Sequence, residues 1–177
     1  MINLAATIMK LFPDSINIVD FLVKNDGAGE YIAIWNLTVA QPTQEQLNAE
    51  WIVMCKDEKI LILDEECQNR ILLSFTCDAV GNTFSFDAFD QINFNQQYII
   101  LIGDASVATV EWKTEDVGIK TFTREQFLQI IKSAENHKRS LRKKYWNLKA
   151  FVNNLATEDE INAVTWDTVV ADDLYLE

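Results

Sequence analysis

The chain has 177 residues, 49% of them hydrophobic, and its 15 basic and 27 acidic residues give a formal charge of −12. That length fits one domain or one domain with an appendage, and the apolar share excludes wholesale disorder. So acidic a surface repels phosphate backbones, which counts against general nucleic-acid binding.

Glycine (5) and proline (2) are scarce, which argues for long regular elements rather than a loop-rich scaffold. Cys55, Cys67 and Cys77 are odd in number and form no C-x-x-C pair. They read as buried free thiols of a reducing compartment, not as a disulfide framework or a zinc site. Met1 to Phe12 lacks the layout of a signal peptide, and no apolar run approaches the roughly 20 residues needed to span a bilayer. No membrane association is expected.

Along the chain, Leu4, Ile8 and Leu11 fall at helical spacing and predict a short amphipathic helix closed by Pro13. Residues 18–24 and 31–37 are rich in β-branched and aromatic side chains and flank the turn-forming run Asn25 to Glu30, which predicts a β-hairpin. Thr43 and Gln46 form a capping box opening a helix that runs to about residue 75. Its weak point is Lys56–Lys59 followed by Ile60–Leu63, which also reads as a strand. The helical reading is preferred because Leu47, Trp51, Met54, Leu61, Cys67, Ile71 and Leu72 can share one side. A turn at Gly81-Asn82 and the alternation of Phe84 and Phe86 predict a short strand. Residues 89–102 look helical, and 110–113 with 117–122 read as a second hairpin.

The clearest element is a helix from Arg124 to about Leu155, opened by a Thr123/Gln126 capping box. Phe127, Ile131, Ala134, Lys138, Leu141, Tyr145, Leu148, Val152 and Leu155 recur alternately four and three residues apart, a heptad seam broken only by Lys138. A helix of that length is a rod of about 45–50 Å that must lie against another helix. The helix at 43–75 of the same chain is the simpler partner, and self-association through the 127–155 seam is the alternative. A further capping box at Thr157–Glu160 opens a short helix ending near Trp166, followed by an acidic tail, 167–177, expected to be partly unordered. The expected organisation is an N-terminal module (1–40), a helical α+β domain (41–166) and that tail (167–177). The expected fold class is α+β: two small hairpins packed on long helices, with a helical hairpin or coiled-coil-like pair.

Nothing in the sequence carries recognisable chemistry. His137 is the single histidine, which excludes a multi-histidine metal site or relay. The acid clusters at 64–66, Asp87/Asp90 and Asp172/Asp173 lack calcium-loop spacing and read as solvated faces. The pair of glycines at 27 and 29 precedes no helix start, so it is a hairpin turn rather than a phosphate cradle. No catalytic, cofactor-binding or metal-binding residue is expected, and the chain reads as a non-enzyme. Eight of the fifteen basic residues lie within 124–149, densest at Lys138–Lys144 beside Tyr145 and Trp146. Basic and aromatic side chains together can grip a nucleic acid. The chain's own acids, such as the 157–177 tail, or an acidic partner account for them more simply. The candidate partner contacts are Tyr31 and Trp35 on the first hairpin, and Arg139, Arg142, Lys143, Lys144 and Trp146 on the long helix, since aromatics and arginine dominate interface hot spots.

Two stretches carry a resemblance. Asp20-Phe21, Asn25-Asp26-Gly27, Gly29, Tyr31-Ile32-Ala33, Trp35-Asn36, Gln41-Pro42-Thr43 and Gln46-Leu47 resemble the N-terminal part of small tail-region proteins of phages and defective prophages. From Cys67 through Trp166, the order of features is similar to a domain-of-unknown-function family found in phage tail-fibre and tail-fibre-assembly proteins. It runs through Phe75-Thr76, Ala79-x-Gly81, Asp90-Gln91-x-Asn93, the Phe122-Thr123 cap, His137, the Lys-x-Tyr-Trp helix and the final Trp166. The resemblance brings no catalytic residues. It implies a fibre assembly chaperone or fibre-bound accessory protein, with a trimeric tail-fibre protein as partner, acting in the host bacterial cytoplasm during assembly or remaining in the virion tail. A permanent tail or baseplate subunit, and a nucleic-acid-binding regulator using residues 138–144, are the alternatives.

Overall fold

In a computed structural model that describes residues 2–176, the protein is α+β, with small antiparallel hairpins carried on long helices. The elements in chain order are α1 (Leu4–Leu11), β1 (Phe21–Asn25), β2 (Glu30–Trp35), α2 (Gln44–Ile71), β3 (Phe75–Cys77), β4 (Asn82–Phe84), α3 (Ala88–Gly103), β5 (Thr109–Thr114), β6 (Gly118–Thr123), α4 (Arg124–Asn154) and α5 (Glu158–Ala163), with a 3-10 turn at Leu174–Leu176. They form two compact units, Met1–Ile62 with Ala150–Thr168, and Leu63–Lys149 with Val169–Glu177.

The first unit is built where α1 meets the β1–β2 hairpin. Leu4, Ile8, Phe21 and Leu47 are its buried cluster, and Trp35 and Phe12 pack onto it. The hairpin pairs Phe21 with Trp35 and turns through Gly27 at a φ of 96°, a left-handed angle that glycine reaches without a Cβ clash. The Thr43 cap is formed as its sequence predicts: Thr43 N–H donates to Gln46 Oε1 (2.9 Å) and Gln46 N–H to Thr43 Oγ1 (3.2 Å).

Helix α2 is continuous through Lys56–Leu63, so the strand reading of Ile60–Leu63 does not hold. The two lysines that weakened the helical pattern have a structural task. Lys56 Nζ donates to Asn153 O (2.8 Å), and Lys59 Nζ donates to Asn162 O (3.1 Å) and Val164 O (3.0 Å). Both ammonium groups thus serve carbonyls at the C-terminal ends of α4 and α5, where the helix dipole favours positive charge. The buried face of α2 also differs from the one read from the sequence. Leu47, Cys55, Leu63, Cys67 and Ile71 are buried, whereas Leu61 and Leu72 are exposed. Buried positions spaced by multiples of four advance about 40° per step, so the stripe winds around the helix.

The second unit holds the larger core: Phe75, Phe84, Phe86, Phe94, Phe122 and Phe127, joined by Leu101, Val110 and Ile130. Trp112 packs between Phe94 (4.7 Å between ring centroids) and Phe127 (5.0 Å). Where a single strand is predicted near Phe84, a third hairpin forms: β3 pairs with β4 through Phe75↔Phe84, and those rings stack at 5.5 Å. That hairpin is tied to β5–β6 through Asn82, which donates to Asp116 Oδ2 (3.0 Å) and accepts from Lys120 Nζ (2.8 Å). Helix α4 begins on its expected cap, with Thr123 N–H donating to Gln126 Oε1 (2.9 Å). Of its seam, Phe127, Ala134, Leu148 and Val152 are buried, but Ile130 rather than Ile131 is fully enclosed, and Lys138, Leu141 and Tyr145 are only half-buried.

Candidate interaction surfaces

Members of each acid cluster singled out from the sequence have local partners. Asp87 and Asp90 form the capping box of α3: Asp90 N–H donates to Asp87 Oδ1 (2.8 Å) and Asp87 N–H to Asp90 Oδ2 (3.2 Å). Glu66 pairs with Arg70 one turn on, and Asp173 pairs with Lys143. No group of three or more His, Cys, Asp or Glu side chains suited to a metal ion occurs among the described residues. Cys55, Cys67 and Cys77 are buried and free. Burial, with nearby Glu158 and Glu58, pushes the Cys55 thiol up; burial, with Asp64, does the same at Cys67. Both thiols are thereby held in the protonated, weakly nucleophilic form.

Three surfaces have the character of contact sites. The first lies in the first unit, on the loop before β1. Ile16, Ile18 and Val19 are exposed there, Ile18 at 77%. The loop is pinned from both sides, with Ile16 N–H donating to Asp20 Oδ2 (2.8 Å) and Asn36 Nδ2 donating to Val19 O (2.9 Å). Ile18 is held at a φ of 78°, a region costly for a β-branched residue. Of the two candidates on this unit, Tyr31 is exposed on β2. Trp35 is half-buried, edge-on to Phe12 at 5.5 Å, with its Nε1 donating to Val39 O (2.8 Å).

The second surface is the outer side of α3, which the sequence reading passed over. Only Phe94 and Leu101 of this helix are buried, while Phe89, Ile92, Ile99, Ile100 and Ile102 are exposed. Asp90, committed to the cap, is the helix's one charged residue, so the exposed side is uncharged within a chain of net charge −12, its apolar side chains interspersed with the exposed amides Asn93, Asn95 and Gln96. The available signal was a 16-residue helix nearly free of charge, which a half-exposed helix in such a chain seldom is. Its position is fixed at one end by the Arg124 guanidinium, which donates to Asp104 O (3.0 Å) and to Leu101 O. Between α3 and α4 lies a groove of about 640 Å³, floored by Phe86 and Phe94 and edged by Lys138 and Arg139. Lys138 Nζ donates to Gln91 Oε1 (3.2 Å), and beyond that bridge a second hollow of about 480 Å³ is lined by Leu72, Ile92 and Arg142.

The third surface is the stripe Arg139, Arg142, Lys143 and Trp146 on α4, spaced three and four residues apart and so on one face. Arg139 and Arg142 are exposed, and Lys143 and Lys144 are half-buried. The tail turns back onto this stripe, with Asp173 meeting Lys143 at 2.8 Å and Tyr175 packing on Trp146 at 5.3 Å. The hydrogen bond to Asp173 is the main cause that raises the Lys143 ammonium above the usual lysine range.

Comparison with known proteins places this geometry in context. Residues 54–166 match the family described as a domain of unknown function, DUF4376, and residues 4–58 match the XkdW protein family. A relative, the phage-like element PBSX protein XkdW of Bacillus subtilis (strain 168), is 43% identical over 89 residues, covering 47% of this chain and 82% of that protein. No solved structure matches the chain.

Proposed function

The chain belongs to the DUF4376 family and is phage-related, and from that premise we propose that it works by protein–protein contact as a tail-fibre assembly chaperone or fibre-bound accessory protein. The observation that carries this reading is the exposed, uncharged side of α3, where Phe89, Ile92, Ile99 and Ile102 face solvent. Exposed apolar surface of that extent on an otherwise charged chain is costly in water unless it meets a partner. A fibre end that exposes apolar surface before assembly is such a partner. The groove edged by Lys138 and Arg139 supplies a polar rim to the same region, as interfaces do. No catalytic role is assigned to any residue.

The test is co-expression with the adjacent candidate fibre gene product, followed by size exclusion with light scattering. We expect a complex of defined stoichiometry. Ile99→Lys with Ile102→Glu should abolish it while leaving the circular dichroism spectrum unchanged, because neither side chain is part of the core. Trp35→Ala combined with charge reversal at Arg142 and Lys143 should weaken it. A lone monomer beside a fibre that folds without it would refute the role.

A further inference from the structure

The C-terminal end of the α4 stripe already holds an occupant whose chemistry can be read. Asp173 carboxylate meets the Lys143 ammonium at 2.8 Å. The Tyr175 ring lies against Trp146, and Tyr175 N–H donates to Oδ1 of the buried Asn147 at 3.3 Å. A positive φ of 62° at Asp173 and the following 3-10 turn present the carboxylate and the ring to one helix face. One charge, one ring and one backbone hydrogen bond are the ingredients by which short peptide motifs are recognised.

The cis contact is nevertheless slight. Its ion pair is exposed, Trp146 stays 42% accessible, and exposed pairs of this kind contribute little. The tail's contacts also run in the direction of α4, with Asp173 at Lys143 and Tyr175 at Trp146 and Asn147. A partner segment that continues along α4 in this direction places the residues before its acid toward Arg142 and Arg139. The tail's own Val169, Val170 and Ala171 carry no charge for those guanidinium groups, and its Asp172 acts on Lys143. An outside segment with acids there gains what the tail lacks, since arginine pairs strongly with carboxylates.

We propose that the Arg139–Trp146 stripe is a docking site for an acidic, aromatic peptide segment of the partner protein, held in cis by Asp173 and Tyr175 of the tail until that segment displaces them. The inference rests on the partner-contact reading above and deepens it by naming the chemistry of the partner. The tether gives the tail an effective concentration on the order of millimolar. A competitor wins through the two arginines.

The experiment uses the full chain carrying Asp173→Lys and Tyr175→Ala, which frees the stripe, and a fluorescein-labelled peptide copying residues 169–177. By anisotropy the opened chain should bind this peptide about twofold more tightly than the wild type. Adding Trp146→Ala or Lys143→Glu should remove the gain. A second peptide with Asp at the positions of Val169 and Val170 should bind about fivefold more tightly again, and that increment should vanish on Arg139→Glu with Arg142→Glu. Equal binding of a scrambled peptide, or no gain in an opened chain of native circular dichroism, overturns the proposal. If the fibre complex forms with the wild type and opening the tail does not strengthen it, the docking site falls while the assembly role stands. If the peptides behave as expected and no fibre complex forms, the stripe stands and the assembly role falls.

Discussion

Ile18 is held at a φ of 78° with its side chain almost wholly in solvent. A left-handed backbone costs a β-branched residue on the order of 1–2 kcal/mol, and no packing is visible to offset it. Asparagine tolerates that region, so Ile18→Asn should stabilise the chain by about 1 kcal/mol, read as a higher urea midpoint with an unchanged slope. A fall in the midpoint would mean that Ile18 contributes packing after all. Phe84 is the opposite case, fully buried against the rings of Phe75, Phe94 and Phe122. Phe84→Ala should cost about 3–5 kcal/mol, measured the same way. The sequence made Phe84 a strand residue by alternation alone. It carried no sign of the strain at Ile18, which is set by hydrogen bonds such as Ile18 N–H to Phe21 O (2.6 Å). Trp35 shows the same limit. Its contacts with Phe12 and Phe21 come from other elements, and spacing within its own strand says nothing of them.

At the scale of elements, caps and long helices were legible because their determinants are local. The boxes at Thr43, Thr123 and Thr157 lie where Ser/Thr-x-x-Glu/Gln places them. Gln126→Ala should therefore lower stability by about 0.5–1 kcal/mol, detectable by thermal melting. The β3–β4 hairpin was missed because strands of three residues leave too little alternation to read. It is held instead by the long-range contact of Asn82 with Asp116. The hydrogen bond from Asn82, with those from Thr83 and Thr114, keeps the Asp116 carboxyl below the usual aspartate range. A lowered folded-state pKa means that this contribution is present above the unfolded value of about 3.9 and is lost as pH falls through the folded one. The stability difference between wild type and Asp116→Ala should accordingly shrink as pH is lowered past about 4. A difference that persists at low pH would assign the effect to packing.

For the whole molecule, charge is the governing property. With −12 overall, and Lys143 already paired with Asp173, the basic stretch of α4 is a poor anchor for a phosphate backbone. Neither duplex nor single-stranded DNA should shift the anisotropy of a labelled probe at low salt. A salt-dependent shift would revive a nucleic-acid role. No helix among the described residues is long and apolar enough to cross a membrane. By itself the sequence determined what depends on neighbours within a few residues: the helices, their caps, the turns at Gly27 and Gly81, and the α+β class. It also carried the two stretches that tie the chain to phage proteins. Tertiary structure alone decided which side of α2 is buried, that the outer side of α3 has no cover, and that the tail lies on Trp146. Those outcomes depend on which distant surfaces meet and exclude water, and hydrophobic periodicity reports that an apolar face exists without saying what covers it.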